Sequence, residues 1–178
     1  RDPDHEFGTN PCSEIILRPY QFCNLTEVVV RAEDTVTSLT KKIEWATQLG
    51  TYQSCLTDFK YLRKIWKQNT EEERLLGVSL TGILDNEMLS TNNHKLTDLL
   101  VGFKTIAIKT NSKLAKNIGI SQSTAITCVK PSGTVSQLVD SASGIHPRHS
   151  EYYIRTVRGD NKDPLTQFMI QSGIPAEP

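Results

Sequence analysis

The sequence predicts an α/β fold in which a few buried strands alternate with helices. A run rich in Val, Leu and Thr at 22–31 reads as a strand, and an apolar run that contains small residues at 75–84 reads as a buried strand against which another group packs closely. Apolar residues at helical spacing occupy much of the chain between and after these runs. Strands that alternate with helices are typical of α/β proteins, and so few strands suggest part of a larger sheet or barrel.

The first predicted helix covers 35–49, with Asp34 or Thr35 as its N-cap and Gly50 as its stop. A second, weaker helix is predicted over 56–68.

The remaining elements follow from periodicity and capping. The longest helix is predicted over 95–118, where one stripe of the helix is apolar. Short strands are predicted at 124–129 and 152–157. A last helix is predicted over 163–171, with Pro164 in its first turn.

Composition excludes several classes of protein. Twenty basic residues balance twenty acidic ones, which gives no support for a nucleic-acid or membrane-surface partner. The sequence contains no signal peptide and no apolar run of about 18 residues. We therefore expect a cytoplasmic protein with no membrane partner, and neither end of the chain reads as a natural terminus, so we expect a piece of a longer polypeptide.

The four cysteines, Cys12, Cys23, Cys55 and Cys128, fit no zinc spacing and are too sparse for a secreted disulfide framework. No metal site is therefore predicted. Cys128 alternates within a predicted strand, so we expect it to be a small buried side chain, and Cys55 could be the same.

The stretch Asn10-Pro11-Cys12-Ser13-Glu14 holds the strongest candidates for chemistry. Pro11 pushes Asn10 toward an extended backbone. In an extended run an amide, a thiol and a carboxylate would point to the same face at steps of roughly 6.6 Å. That reach suits several atoms of one small ligand. The alternative is a surface loop with a chance cysteine.

A second candidate site lies at 130–138, where a strand leads through a Pro/Ser/Gly/Thr turn into a helix. Backbone N–H groups and hydroxyls at the start of a helix favour an anion. The glycine spacing is not that of a Walker A loop. Taken alone, most such turns are only turns or caps.

Together these motifs resemble the ribonucleotide reductases. Asn10–Glu14 followed by Phe22-Cys23-Asn24-Leu25 looks like their finger loop and the strand after it, and 130–138 looks like their turn for the substrate's phosphates. The resemblance implies phosphate contacts from the residues Pro131, Ser132, Gly133, Thr134, Val135 and Ser136.

The resemblance also implies the role of each residue near the loop. Cys12 would carry the thiyl radical that abstracts the ribose 3′-hydrogen, at a buried loop tip that keeps water and oxygen away. Glu14 would be the general base for the 3′-hydroxyl, and Asn10 would hydrogen-bond the substrate. Cys23 would be one of a pair that supplies reducing equivalents, and its partner would lie upstream of this chain.

Eleven positions separate Cys12 from Cys23, an interval similar to that of the adenosylcobalamin-dependent reductases. The same reaction with a metal-bearing second subunit or a glycyl radical is one alternative. A non-enzymatic thiol or nucleotide-binding module, in which Cys12 and Cys23 form a regulatory disulfide, is another.

The family fold implied here is a ten-stranded α/β barrel around a central finger loop. Residues 1–178 would supply roughly its second half and no complete domain, with the finger loop at 8–22. The implied activity is radical reduction of ribonucleoside di- or triphosphates to 2′-deoxyribonucleotides for DNA synthesis. The implied partners are the nucleotide, adenosylcobalamin, a thioredoxin-type thiol reductant and the remainder of the polypeptide.

Overall fold

A computed structural model describes residues 1, 3–91 and 94–177, with only the backbone of residue 94. The chain divides into two compact units, Arg1–Arg148 and a smaller one that begins at His149. The α/β class predicted from the sequence is confirmed in the first unit.

The described strands form two small sheets. An antiparallel hairpin pairs β1 (Gly8–Thr9) with β2 (Ile16–Leu17). A parallel pair joins β3 (Asn24–Val29) to β4 (Leu76–Thr81), with Asn24 opposite Leu76 and Val29 opposite Thr81. The predicted strands at 22–31 and 75–84 are thus confirmed, with shorter bounds.

A short stretch at 125–128 extends the parallel pair on the far side of β4. The Leu76 amide donates to Ala125 O at 2.9 Å, and the Cys128 amide donates to Val78 O at 3.1 Å. A parallel bridge joins Val78 to Thr127. Part of the strand predicted at 124–129 is therefore present, and the spatial order is β3, β4 and 125–128.

The helices have the following bounds: α1 (Val36–Gln53), α2 (Lys64–Glu73), a 3₁₀ turn (Ile83–Asp85), α3 (Glu87–Ser90), α4 (His94–Ile118), α5 (Thr134–Leu138) and α6 (Pro164–Gln171). The prediction over 95–118 is confirmed by α4, and that over 163–171 by α6, where Asp163 caps the Leu165 amide and Pro164 occupies the first turn. No helix in the described part of the chain is both long and apolar enough to cross a bilayer.

The core lies between the parallel strands and the helices α1 and α4. It is a cluster of buried apolar side chains from these elements: Val28, Val30, Leu39, Ile43, Ala46, Leu76, Val78, Leu89, Phe103, Ala107 and Ile126. Helix α1 begins at a capping box in which Thr35 and Ser38 each accept from the other's backbone amide. Helices thus cover one face of the parallel strands, and the opposite face is left for other contacts.

Three expectations were wrong. Gly50 does not end the first helix but lies buried inside α1. A β-carbon on Gly50 would be 3.5 Å from the side chains of Leu76 and Thr26. The second helix begins at Lys64, not at 56, because turns occupy the preceding residues. Residues 152–157 form no strand, and all six residues are exposed, so they lack the burial that a core strand would have.

Candidate active site

The loop between β1 and β2 carries the thiol singled out by the sequence. The Ser13 amide donates to Asn10 O at 2.9 Å, which closes a β-turn over Asn10–Ser13, and Ser13 has a positive φ of 61°. Pro11 occupies the second position of this turn, which its fixed φ favours. The predicted extended backbone is therefore wrong, and Asn10, Cys12 and Glu14 do not lie along one strand face.

The amide side chain of Asn10 closes the same loop. Its Oδ1 accepts from the Ile15 backbone amide at 3.0 Å, and the backbone amide of Asn10 donates to Ile15 O at 3.3 Å. These bonds leave the Asn10 Nδ2 group available to a ligand. Cys12 is exposed at the tip, so the described residues do not provide the shelter that we expected around its sulfur.

Glu14 lies within electrostatic reach of two cysteines, Cys23 just before β3 and Cys128 in the stretch beside β4. Its Oε2 atom is buried and has no hydrogen-bond partner among the described residues. Burial raises the pKa of the Cys23 thiol, and the charge of Glu14 raises it further. The pKa of Cys128 is raised to about 11, mainly by burial and further by electrostatic repulsion from Glu14 and then Cys23. The fold therefore brings Glu14, Cys23 and Cys128 near one another.

Sequence reasoning missed the position of Cys128. We expected a small buried side chain, and Cys128 is half-buried on the face that carries the loop. Alternation in the predicted strand could not reveal its neighbours, because Glu14 and Cys23 are more than 100 residues away in sequence and Gly77 about 50.

Gly77 on β4 provides the space that lets the loop approach the sheet. A β-carbon there would stand 3.0 Å from Ile15 Cδ1 and 3.0 Å from Cys128 Sγ, and would also clash with Leu25. These separations are shorter than the distances at which real β-carbons normally pack, so a side chain at this position would push its neighbours away. The close packing predicted from the small residues of 75–84 is confirmed at Gly77.

A buried ionic network fixes the other end of the hairpin. Gln21 Nε2 donates to Glu73 Oε2 at 2.6 Å, and Arg1 Nε donates to Glu73 Oε1 at 2.8 Å. Arg18 Nε lies 3.4 Å from the same Glu73 carboxylate. Burial opposes the ionisation of Glu73, but these hydrogen bonds and charges outweigh it and hold its pKa below the usual range.

The second candidate site is held together by its own hydroxyls. Ser132 is buried and its Oγ donates to Glu27 Oε1 of β3 at 2.7 Å. Ser136 Oγ donates to Gly133 O at 2.6 Å, and the Gly133 amide donates to Ser143 Oγ at 3.2 Å. Pro131, Thr134 and Val135 are exposed.

This turn lies beyond the carboxyl end of β4. The Gly82 amide donates to Ala142 O at 2.8 Å, and the Gly144 amide donates to Thr81 Oγ1 at 2.8 Å. These bonds fix the segment that follows the turn to the end of the strand. The carboxyl edge of parallel strands is where α/β proteins usually bind ligands.

The described residues contain no cluster of three or more His, Cys, Asp or Glu side chains arranged to hold a metal ion. The site contains an exposed thiol on a turn, a carboxylate oxygen with no hydrogen-bond partner in the described part of the chain, and neutral thiols beside it. These groups suit proton transfer and thiol chemistry.

No family model matches the chain. A protein of Dictyostelium discoideum, described as a probable adenosylcobalamin-dependent ribonucleoside-triphosphate reductase, is 31% identical over 174 residues, which cover 96% of this chain and 22% of that protein. The adenosylcobalamin-dependent ribonucleoside-triphosphate reductase of Lactobacillus delbrueckii subsp. bulgaricus is 28% identical over 195 residues, or 96% of this chain and 26% of the relative.

The fold is similar to a solved structure as well. A crystal structure of a B12-dependent (class II) ribonucleotide reductase superposes with a TM-score of 0.65 and 25% identity over 80% of this chain and 23% of that one. The chain thus spans about a quarter of the length of the curated relatives that it matches. By sequence and by fold, as the resemblance indicated, this chain is a homologue of one segment of the adenosylcobalamin-dependent ribonucleotide reductases.

Proposed function

We propose that this chain is the segment of a ribonucleotide reductase that carries the radical cysteine, one of the reducing cysteines and the turn for the substrate's phosphates. The observation that carries the proposal is the half-buried Glu14, whose buried Oε2 atom has no hydrogen-bond partner among the described residues and whose charge acts on the nearby Cys23. A carboxylate held without a protein partner beside a thiol is suited to take a proton from a substrate.

In the proposed reaction Cys12, as a thiyl radical, takes the hydrogen atom from C3′ of the ribose. Glu14 accepts the proton of the 3′-hydroxyl, and the 2′-hydroxyl leaves as water after protonation. Cys23 and a thiol from elsewhere in the polypeptide supply two electrons and two protons and end as a disulfide. Glu14 then returns its proton to the 3′-oxygen and Cys12 returns the hydrogen atom to C3′, so the carboxylate and the thiyl radical are both regenerated.

The other proposed contacts follow from the same assignment. Asn10 keeps its Nδ2 group for a substrate hydroxyl, because its Oδ1 is used by the Ile15 amide. The turn of Pro131, Ser132, Gly133, Thr134, Val135 and Ser136 would receive the phosphates, with the exposed Thr134 and Val135 nearest to the ligand. The names of the relatives favour a ribonucleoside triphosphate as the substrate.

Adenosylcobalamin is the radical source that the relatives imply, and the exposed Cys12 fits it. A thiol on an exposed turn can lose its hydrogen atom to a group outside this chain. The chemistry that the cofactor supplies when bound is the generation of an organic radical. We assign none of the residues of this chain to hold the cofactor.

The remainder of the polypeptide would complete a ten-stranded α/β barrel around the hairpin loop. Residues 1–178 would be an incomplete domain of that barrel, and the missing strands would cover the exposed Cys12. A thioredoxin-type thiol would re-reduce the disulfide of Cys23. In isolation, the chain is expected to be inactive.

The test uses the full-length protein that contains this chain, with adenosylcobalamin, a dithiol and CTP. Cys12→Ser should abolish formation of dCTP while CTP affinity stays within about twofold of the unchanged protein. Cys55→Ser is the matched control, because Cys55 is exposed and distant in sequence from both motifs. Normal turnover in Cys12→Ser would overturn the proposal.

A further inference from the structure

A hydrogen bond between β3 and the turn at 131–136 has no role in the reaction described above. Ser132 Oγ donates to Glu27 Oε1 at 2.7 Å across 105 residues of sequence. The side chain of Ser132 is directed into the protein, since the residue is only 4% exposed. Its hydroxyl is therefore bonded to a carboxylate and does not face a ligand.

The carboxylate of Glu27 projects from a strand that is hydrogen-bonded along its length. Glu27 lies in the middle of β3, in register with Ser79 of β4, within a parallel pair of six residues. Ser79 Oγ donates to the neighbouring Thr26 O at 3.3 Å. Because β3 is paired with β4 along all six of its residues, Glu27 can hold the turn in one position.

The same strand links the turn to the redox cysteine. Side chains alternate along a strand, so Leu25 and Glu27 share one face of β3. Cys23 directly precedes β3 and continues this alternation, in keeping with its electrostatic interaction with Glu14 and Cys128. Leu25 and Cys128 both border the space above Gly77, which places this face toward the loop. Cys23 and Glu27 are four residues apart, which corresponds to roughly 13 Å along β3.

The turn depends on this support because its backbone is unusual. Gly133 has φ 59° and ψ −127°, a conformation that residues with a β-carbon rarely adopt. Ser132, which precedes it, is the member of the turn whose side chain bonds to a strand. Loss of that bond would free the turn to move relative to Cys23.

We propose that Glu27 is a positioning residue, which sets the place of the phosphate turn relative to Cys23 through the hydroxyl of Ser132. The inference rests on the proposed function. In it Glu27 touches neither the nucleotide nor the reacting atoms, and Ser132 serves the phosphates through its backbone. The Glu27 carboxylate acts as an acceptor, so an amide in its place can do the same.

The test compares Glu27→Ala, Glu27→Gln, Ser132→Ala and the double alanine variant in the full-length protein. Glu33→Ala is the matched control, since Glu33 is an exposed carboxylate just after β3. We expect Glu27→Ala and Ser132→Ala each to raise the KM for CTP roughly tenfold, the loss that one charge-assisted hydrogen bond allows, with kcat within about twofold. Glu27→Gln should keep the KM within about threefold, and the double variant should be no worse than either single one.

The inference is overturned if Glu27→Ala has the KM of the control, if Glu27→Gln is as impaired as Glu27→Ala, or if the two alanine effects multiply. Ser132→Ala decides the matter if Glu27→Ala does not fold. Calorimetric affinity for tripolyphosphate, measured in the same set, should show the same pattern without turnover. An unchanged protein that reduces no ribonucleotide would contradict the proposed function, and the tripolyphosphate series would still decide the role of Glu27.

Discussion

Ile15 Cδ1 lies above Gly77, only 3.0 Å from where a β-carbon on that glycine would stand. Ile15 directly follows Glu14 at the base of the loop and is only 4% exposed. The loop that carries Cys12 is therefore held against the sheet at a position where β4 has no side chain. This contact fixes the residue next to Glu14 against the strands.

Gly77→Ala should displace the loop, because the added methyl group would overlap with Ile15, Leu25 and Cys128. We expect a loss of about 1–3 kcal/mol in the free energy of unfolding of the full-length protein, the usual cost of overpacking. The rate of dCTP formation should fall more than CTP affinity does. Urea denaturation and steady-state kinetics measure the two effects.

Gly102→Ala is the matched control for this substitution. Gly102 lies within α4, and a β-carbon there would meet nothing within 4 Å. Alanine should leave activity unchanged and stabilise the helix by up to about 1 kcal/mol. Equal effects of the two substitutions would contradict the account of Gly77.

Cys128 should react slowly with alkylating reagents. Burial and the nearby charges raise its pKa to about 11, so at pH 8 almost all of this thiol is protonated and unreactive. Compared with a thiol of ordinary pKa, its alkylation by iodoacetamide at pH 8 should be roughly a hundredfold slower. The rate of Cys128 alkylation should keep increasing with pH until the pH reaches the pKa of about 11.

Mass spectrometry of the intact protein can follow Cys128 with the exposed Cys55 as an internal reference. A disulfide between Cys23 and Cys128 is not expected, because β4 lies between β3 and the stretch at 125–128. Two strand spacings are roughly 9.6 Å, which exceeds the reach of a disulfide. Rapid alkylation of Cys128 at pH 7, or its disulfide with Cys23, would be inconsistent with this arrangement.

Glu73→Gln should weaken the anchor of the hairpin in a pH-dependent way. The pKa of Glu73 lies below its usual value in the folded state, so its stabilising effect is present above the unfolded pKa and is lost as pH falls through the folded one. We expect Glu73→Gln to cost about 1–3 kcal/mol at pH 7, and the difference from the unchanged protein to shrink below about pH 4.5.

Glu72→Gln provides the comparison, because Glu72 also pairs with Arg18, at 3.2 Å, but its side chain is 56% exposed. An exposed pair contributes at most about 1 kcal/mol. Thermal unfolding of the three proteins between pH 3 and pH 8 measures these differences. A destabilisation by Glu73→Gln that grows as the pH falls would contradict the lowered pKa of Glu73 in the folded state.

Much of the fold could be predicted from local sequence. The β-rich run that became β3, the long apolar stripe of α4 and Pro164 in the first turn of α6 each depend on neighbours close in sequence. The small residues of the run at 75–84, which contains β4, correctly indicated close packing, and the structure shows it at Gly77.

The site was harder to predict, because it depends on turn geometry and on distant contacts. Pro11 favours the second position of a turn as well as an extended neighbour, and the bond from the Ser13 amide to Asn10 selects the turn. The positions of Cys128 beside the loop and of Glu27 beside Ser132 arise from packing across some 100 residues. No local pattern in the sequence indicates either.

The most direct test of the central claim is hydrogen exchange in the full-length protein with bound adenosylcobalamin, measured as transfer of tritium from water into the cofactor's 5′-methylene group. If Cys12 is the thiol that exchanges a hydrogen atom with the cofactor, tritium should enter with the unchanged protein and with Cys128→Ser. It should not enter with Cys12→Ser. Exchange that persists in Cys12→Ser would contradict the assignment of the radical to this thiol.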